Sequence, residues 1–257
     1  MTAPQPAHDA ELFEFALRLG DNALVLGQRV AGWTGHAPIV EEDLALTNVA
    51  LDLIGQARMW LSLAGEIEGR GRDEDALAYF RDAHEFRNVL LVERPNGNFA
   101  DTIVRGFLFD VWHHGALGRL AHSRDERVAA IATKASREVA YHVRRGGAWV
   151  VRLGDGTQHS HALMQAAVDE LWPYTGELFR SDEIDRALAA RGIGVELETL
   201  REPWLAVVRD TFAEATLAVP DDGWMHAGGR SGRHTEQLGY LLAEMQSVRR
   251  AVPGERW

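Results

Sequence analysis

The chain has no cysteine. That absence removes disulfides, thiolate metal ligands and thiol nucleophiles together, and it fits a reducing compartment, so a cytoplasmic protein is expected. No apolar run approaches membrane-spanning length. The stretch Met1 to Asp9 holds prolines but neither a basic nor an apolar signal region, so no secretory leader is expected. Positive charge is also short. The 27 Lys and Arg stand against 38 Asp and Glu, a net charge of -11 at pH 7. Nothing then neutralises phosphates on one face, which argues against nucleic acid and against an anionic membrane as partners. No nucleophile elbow, internal repeat, low-complexity tract or convincing strand is present.

What is there reads as helix. With 257 residues, 46% hydrophobic and 25% charged, the chain has the composition of an ordinary soluble globular protein. Pro4 to His8 reads as a loose tail. Asp9 can cap a helix from Ala10, with Leu12, Phe13, Ala16, Leu19, Ala23, Leu26 and Val30 at helical spacing. Gly32 to Pro38 breaks it. Glu41, Glu42 and Asp43 open a second helix, suited to the positive end of its dipole. Its expected apolar face is Leu44, Thr47, Leu51, Ile54, Met59 and Leu63, ending around Gly65 to Gly71. A third, wetter helix is expected over Asp73 to Leu91, then a break at Arg94 to Asn98. Two long helices follow, about Phe99–His122 and Asp125–Leu153. Shorter helices are expected over His159–Tyr174, Glu183–Arg191, Glu198–Leu217 and Thr235–Val252, with a flexible basic loop from Gly228 to Arg233. The expectation is an all-α fold: one domain over 1–257, with a bundle core at about 10–153 and a helical C-terminal extension at about 158–252.

Acidic and imidazole side chains on apolar helices suggest a metal site inside the bundle. A carboxylate-bridged di-metal centre takes one Glu from each of two helices and Glu-x-x-His from each of the other two, because i and i+3 share a face. Laid on this chain, the template gives Asp110 and Glu138, 28 residues apart, in the second hairpin. Glu138 opens Glu-x-x-Tyr141, with tyrosine where histidine belongs. In the first hairpin Asp52 opens Asp-x-x-Gly55, with glycine there, and Asn22 lies thirty residues before Asp52. The template therefore finds Asn22, Asp52, Asp110 and Glu138 and neither histidine. Two bypasses exist: Asp110-x-x-His113 and Glu138-x-x-x-His142 can in principle form a mononuclear site. The favoured expectation is a degenerate former site, in which hydrogen bonds and ion pairs replaced metal, with Arg58, Arg105, Arg137 and Arg144 on the same helices as partners.

Several strings carry a family resemblance. They are Phe15 to Asn22, Gly32 to Pro38, Asp43 to Arg58, Leu91 to Ile103, Ala140 to His142, Gly232 to Gly239 and Leu242 to Gln246. Over about residues 10 to 257 the chain resembles the C subunits of bacterial ring 1,2-phenylacetyl-CoA epoxidases. The resemblance implies a ferritin-like fold and membership of a multicomponent monooxygenase that acts on phenylacetyl-CoA in aerobic phenylacetate breakdown. It implies a non-catalytic structural role, with no catalytic residue, metal or cofactor in this chain. Di-iron is implied in the partner A subunit, and FAD, an iron–sulfur cluster and NADPH in a reductase component. The implied set of partners also includes a small B subunit. A scaffold needs a docking face. Trp33, Trp60, Trp112, Trp149, Trp204 and Trp224 are candidate anchors, although most of them are expected in the chain's own core. Arg230, Arg233 and His234 are candidates for contact with the partner or with the phosphates of coenzyme A.

Overall fold

The computed structural model describes residues 9–253. The tail expected over Pro4–His8 lies outside them. Helix starts fall on residues able to satisfy free N–H groups. Asp9 Oδ1 accepts from the Leu12 N–H at 3.1 Å and opens α1, Ala10–Ala31. α2, Val40–Glu68, has no side-chain cap and places Glu41, Glu42 and Asp43 in its first turn instead. Two short helices follow, α3 at Glu74–Tyr79 and α4 at Leu90–Glu93. Asn98 caps α5, Phe99–Leu120, and Asp125 caps α6, Glu126–Gly154. The C-terminal part holds α7 (Gln158–Leu171), α8 (Glu183–Ala190), α9 (Arg201–Glu214) and α10 (Glu236–Ala251). No strand occurs among the described residues.

α1 packs along α2, α5 packs along α6, and the two hairpins meet through α2 and α6. α7 and α9 lie against the second hairpin, and α8 and α10 against α1. One apolar cluster of buried side chains runs from Leu12 in the bundle to Leu242 in α10. The fold is all-α: a ferritin-like four-helix bundle with additional C-terminal helices.

Two expectations about helices need correction. The third helix is not continuous over Asp73–Leu91. It stops at Tyr79, because distant side chains take over its backbone groups. Gln246 Nε2 donates to the Ala78 and Arg81 carbonyls at 3.0 Å, and Arg250 Nε donates to the Tyr79 carbonyl at 3.0 Å. Beyond the break, Asp21, Asn22 and Glu177 accept from the N–H groups of Arg87, Val89 and Leu90 at 2.8, 2.8 and 2.9 Å. The irregular segment is thus satisfied without a helix.

The buried face of α2 is also different. It consists of Leu46, Val49, Ala50, Leu53, Ala57, Trp60 and Leu61, with Leu63. Leu44 and Leu51 are 61% and 64% exposed. Their spacing of seven does put them on one face, but that face points away from the bundle. The tryptophans mostly fill the chain's own core. Trp60, Trp112 and Trp204 are buried. Trp33 and Trp149 pack edge-on against Phe99, with centroids 5.7 and 5.2 Å away. Trp224 stands out at 76% exposed.

Candidate functional site

α2 and α6 run antiparallel where they meet, and each contributes two polar residues four positions apart. Gln56 Nε2 donates to Glu138 Oε2 at 3.0 Å. One step along, the His142 Nε2–H donates to Asp52 Oδ2 at 3.0 Å. Because i and i+4 share a helical face, the two bonds form a double tie between the hairpins. Asp52 is partly open to solvent, whereas Gln56 and His142 are buried. Behind His142 lies Asp110 of α5, with its Oδ1 3.9 Å from His142 Nδ1. Neither of those two atoms has a hydrogen-bond partner, nor have Gln56 Oε1 and His113 Nδ1. A cavity of about 20 Å³ beside Asp110 and His142 is also lined by Arg145, Gly146 and Phe107, a volume that suits one water molecule.

Burial sets the protonation here. It pushes the Asp110 carboxyl up to about 6, against the opposing pull of His142 and Arg145. It pushes His113 down to about 3, helped by His142 and His114. His113 sits among rings, with Phe109 at 5.1 Å and Trp112 at 6.2 Å between centroids. At neutral pH it is an uncharged imidazole in an aromatic setting.

The template residues do not converge. Asn22 holds the Val89 N–H through its Oδ1 and belongs to the α1–α4 junction. Glu138 is tied to Gln56. Gly55 has no side chain, and a Cβ built there meets no atom within 4 Å. Tyr141 is exposed, its ring 6.3 Å from that of His142. Among the described residues no three His, Asp or Glu side chains form a group able to hold a metal ion. The alternative set of Asp110, His113, Glu138 and His142 does not form such a group either. The expected arginine partners are elsewhere. Arg58 pairs with Glu74 at 3.0 Å. Arg105 donates to the Arg94 and Pro95 carbonyls and to Asn96, and burial lowers it to about 9. Arg137 and Arg144 are exposed.

Two participants were missed. Gln56 is readable in hindsight, because Asp52 and Gln56 repeat the four-residue step of Glu138 and His142. Arg145, which pairs with Glu42, sits beside Asp110. It had no signal to separate it from Arg144.

The glycine-rich loop is a packed structure rather than a free one. Gly229–Ser231 forms a 3-10 turn, and Gly228 and Gly229 are buried. Glu177 Oε1 accepts from the N–H groups of Gly228 and Arg230 at 2.9 and 3.3 Å. The Arg230 guanidinium pairs with Asp185 and donates to the Arg180 carbonyl. His234 lies 3.0 Å from both Glu93 Oε2 and the Phe86 carbonyl. Arg230 and His234 thus anchor the loop inside the chain, while Arg233 is exposed.

A comparison with family models matches residues 1–257 to the family described as phenylacetic acid catabolic protein. The chain belongs to that family. It is also 53% identical over 247 residues to a protein of Escherichia coli (strain K12) named as the C subunit of 1,2-phenylacetyl-CoA epoxidase. The alignment covers 96% of this chain and 99% of that protein. The match to the phenylacetic acid catabolic protein family includes both the substituted bundle positions and the glycine-rich loop. No described helix is long and apolar enough to cross a membrane.

Proposed function

We propose that this chain is the non-catalytic structural subunit of a multicomponent ring 1,2-phenylacetyl-CoA epoxidase. In this reading its 257 residues act as one ferritin-like unit in the cytoplasm. It scaffolds a di-iron A subunit that epoxidises phenylacetyl-CoA in aerobic phenylacetate breakdown. The system also includes a small B subunit, together with a reductase that carries FAD and an iron–sulfur cluster and is fed by NADPH. The chain itself holds no cofactor.

The relative named as an epoxidase subunit supports the assignment to this complex. The observation that carries the structural role is the double tie between α2 and α6. Where a di-metal bundle would grip ions, Asp52 binds His142 and Gln56 binds Glu138, and Gly55 offers no ligand. These pairings engage Asp52 Oδ2, His142 Nε2, Gln56 Nε2 and Glu138 Oε2 with one another, which supports a structural rather than a metal-holding role.

The test is iron content and oxygenase activity of this chain alone, of the A subunit alone, and of the two together with B and the reductase. The expected result is iron wherever the A subunit is present and none with this chain alone, with activity requiring both. Stoichiometric iron in this chain alone, lost in His113→Ala or His142→Ala, would overturn the proposal in favour of a metal-binding oxidase.

A further inference from the structure

The outer face of the α2–α6 pair is unfinished in two ways. Along α2, Val40, Leu44 and Leu51 are 72%, 61% and 64% exposed, and all three lie on one side of the helix. Tyr141 on α6 is exposed as well. Leu51 and Tyr141 directly precede Asp52 and His142, whose side chains bond across the two helices, so both flank the same tie. Scattered exposed apolar residues need no explanation, but an aligned set on neighbouring helices does.

The second feature is charge. Lys134, Arg137 and Arg144 are exposed on α6 and make no ion pair within the described residues. With Tyr141 between them they step by three, four and three residues, which keeps them on one helical face. Among the exposed arginines, Arg58 pairs with Glu74 and Arg191 with Asp9 and Glu11, whereas Lys134, Arg137 and Arg144 are set apart by standing in one row beside the apolar stripe. A cationic row left unpaired beside an apolar stripe, in a protein of net charge -11, is a surface without its complement.

We propose that this face docks the catalytic subunit, through a surface on that subunit that presents apolar side chains beside carboxylates. The inference rests on the structural-subunit reading above and adds the face and the chemistry of its complement. A second copy of this chain is a poor occupant, because two-fold pairing through the same face would set cationic row against cationic row. Trp224 lies elsewhere, edge-on to His226 with ring centroids 4.4 Å apart and near the Arg201–Asp222 pair, and does not share this chemistry.

The chain carries one lysine, Lys134, and it lies in the proposed face. Amine acylation read by peptide mass spectrometry therefore reports on this face in the full-length wild type, without any substitution. The probe is the purified A subunit. Lys134 is expected to become protected when the A subunit is added. Leu44→Ser/Leu51→Ser and Arg137→Glu/Arg144→Glu should each weaken binding by at least about tenfold, the second pair with a reduced salt dependence. Trp224→Ala and Val248→Ser should bind as wild type.

Unchanged Lys134 reactivity in the complex would overturn the inference. So would unchanged affinity in both double variants, or loss of affinity in Trp224→Ala instead. A wild-type homodimer dissolved by Leu44→Ser/Leu51→Ser would assign the face to a second copy and overturn it too. A wild-type chain that does not bind the A subunit at all would break the structural-subunit reading itself. That result is distinguishable from failure of the face alone.

Discussion

Two buried polar regions of this molecule contrast sharply. At the junction of α1 with the C-terminal helices, carboxylates are surrounded by donors. Asp21 receives the Arg81 guanidinium and the Arg87 N–H. Glu177 receives three backbone N–H groups. Asp185 pairs with both Arg18 and Arg230. Between α2, α5 and α6, by contrast, Gln56 Oε1, Asp110 Oδ1, His113 Nδ1 and His142 Nδ1 are buried without partners. A satisfied buried network specifies a structure, and a half-satisfied one weakens it. The carboxylates of the junction are therefore expected to contribute more stability than the polar groups at the centre of the bundle, even though Arg18 Nε and Asn88 Oδ1 at the junction also lack partners.

The largest effect should come from breaking the junction. Asp21 and Arg81 are both buried. Asp21→Ala strands a buried guanidinium and leaves the Arg87 N–H without its acceptor. A loss of about 3–5 kcal/mol is expected, read as a lower urea midpoint. Asp52→Ala, at the solvent end of the bundle tie, should cost much less, because its side chain is partly exposed. Equal losses in the two variants would remove the contrast.

The next effect is a pH dependence with two opposing signs. Asp110 rises from its ordinary 3.8 to about 6, so the folded chain takes up that proton first, and its contribution to stability falls as pH rises through that window. The difference of about 2 units is worth about 3 kcal/mol. His113 falls from 6.5 to about 3, so the unfolded chain takes up its proton first, and stability falls on acidification through that window. Between about pH 4 and 6 the two nearly cancel. The titratable and charged groups facing them are His142 and Arg145 on α6, His114 on α5, and Asp52 beyond His142. Asp110→Asn removes the compensation. It should lose roughly 3 kcal/mol more than wild type on going from pH 6 to pH 4 in urea titrations. Parallel curves for variant and wild type would show that Asp110 is not held near neutrality by burial.

Much of the bundle is readable in the chain because its signals are local. Asp9 caps the helix it was expected to cap, α6 starts within a residue of the expected Asp125, and the breakers at Gly32 to Pro38 and Arg94 to Asn98 fall between helices. The break after Tyr79 could not be read. Its cause lies in Gln246 and Arg250, far along the sequence. Leu44 and Leu51 misled because periodicity reports a shared face but not its direction. Of the site, the positions of Asp52, Glu138 and His142 on facing helices were legible from spacing, whereas Asn22 was misplaced. Its height on α1 suits a bundle ligand, but its side chain turns to Val89, an acceptance that only the irregular segment creates.

Gly55 gives the smallest and cleanest test. It stands where the template requires a histidine, and a Cβ there meets nothing within 4 Å. Its backbone φ is not positive, so no left-handed geometry calls for glycine. Gly55→Ala should therefore stabilise the isolated chain by about 0.5–1 kcal/mol, because alanine loses less entropy in a helix. Gly20 of α1 is the internal control. A Cβ there would crowd Leu61 at 2.8 Å, so Gly20→Ala should change stability in the opposite direction. A higher melting temperature for Gly55→Ala and a lower one for Gly20→Ala would separate a glycine needed for packing from one that packing leaves free. A loss at Gly55 in the isolated chain would mean that the centre of the bundle is more tightly built than its unpartnered atoms indicate.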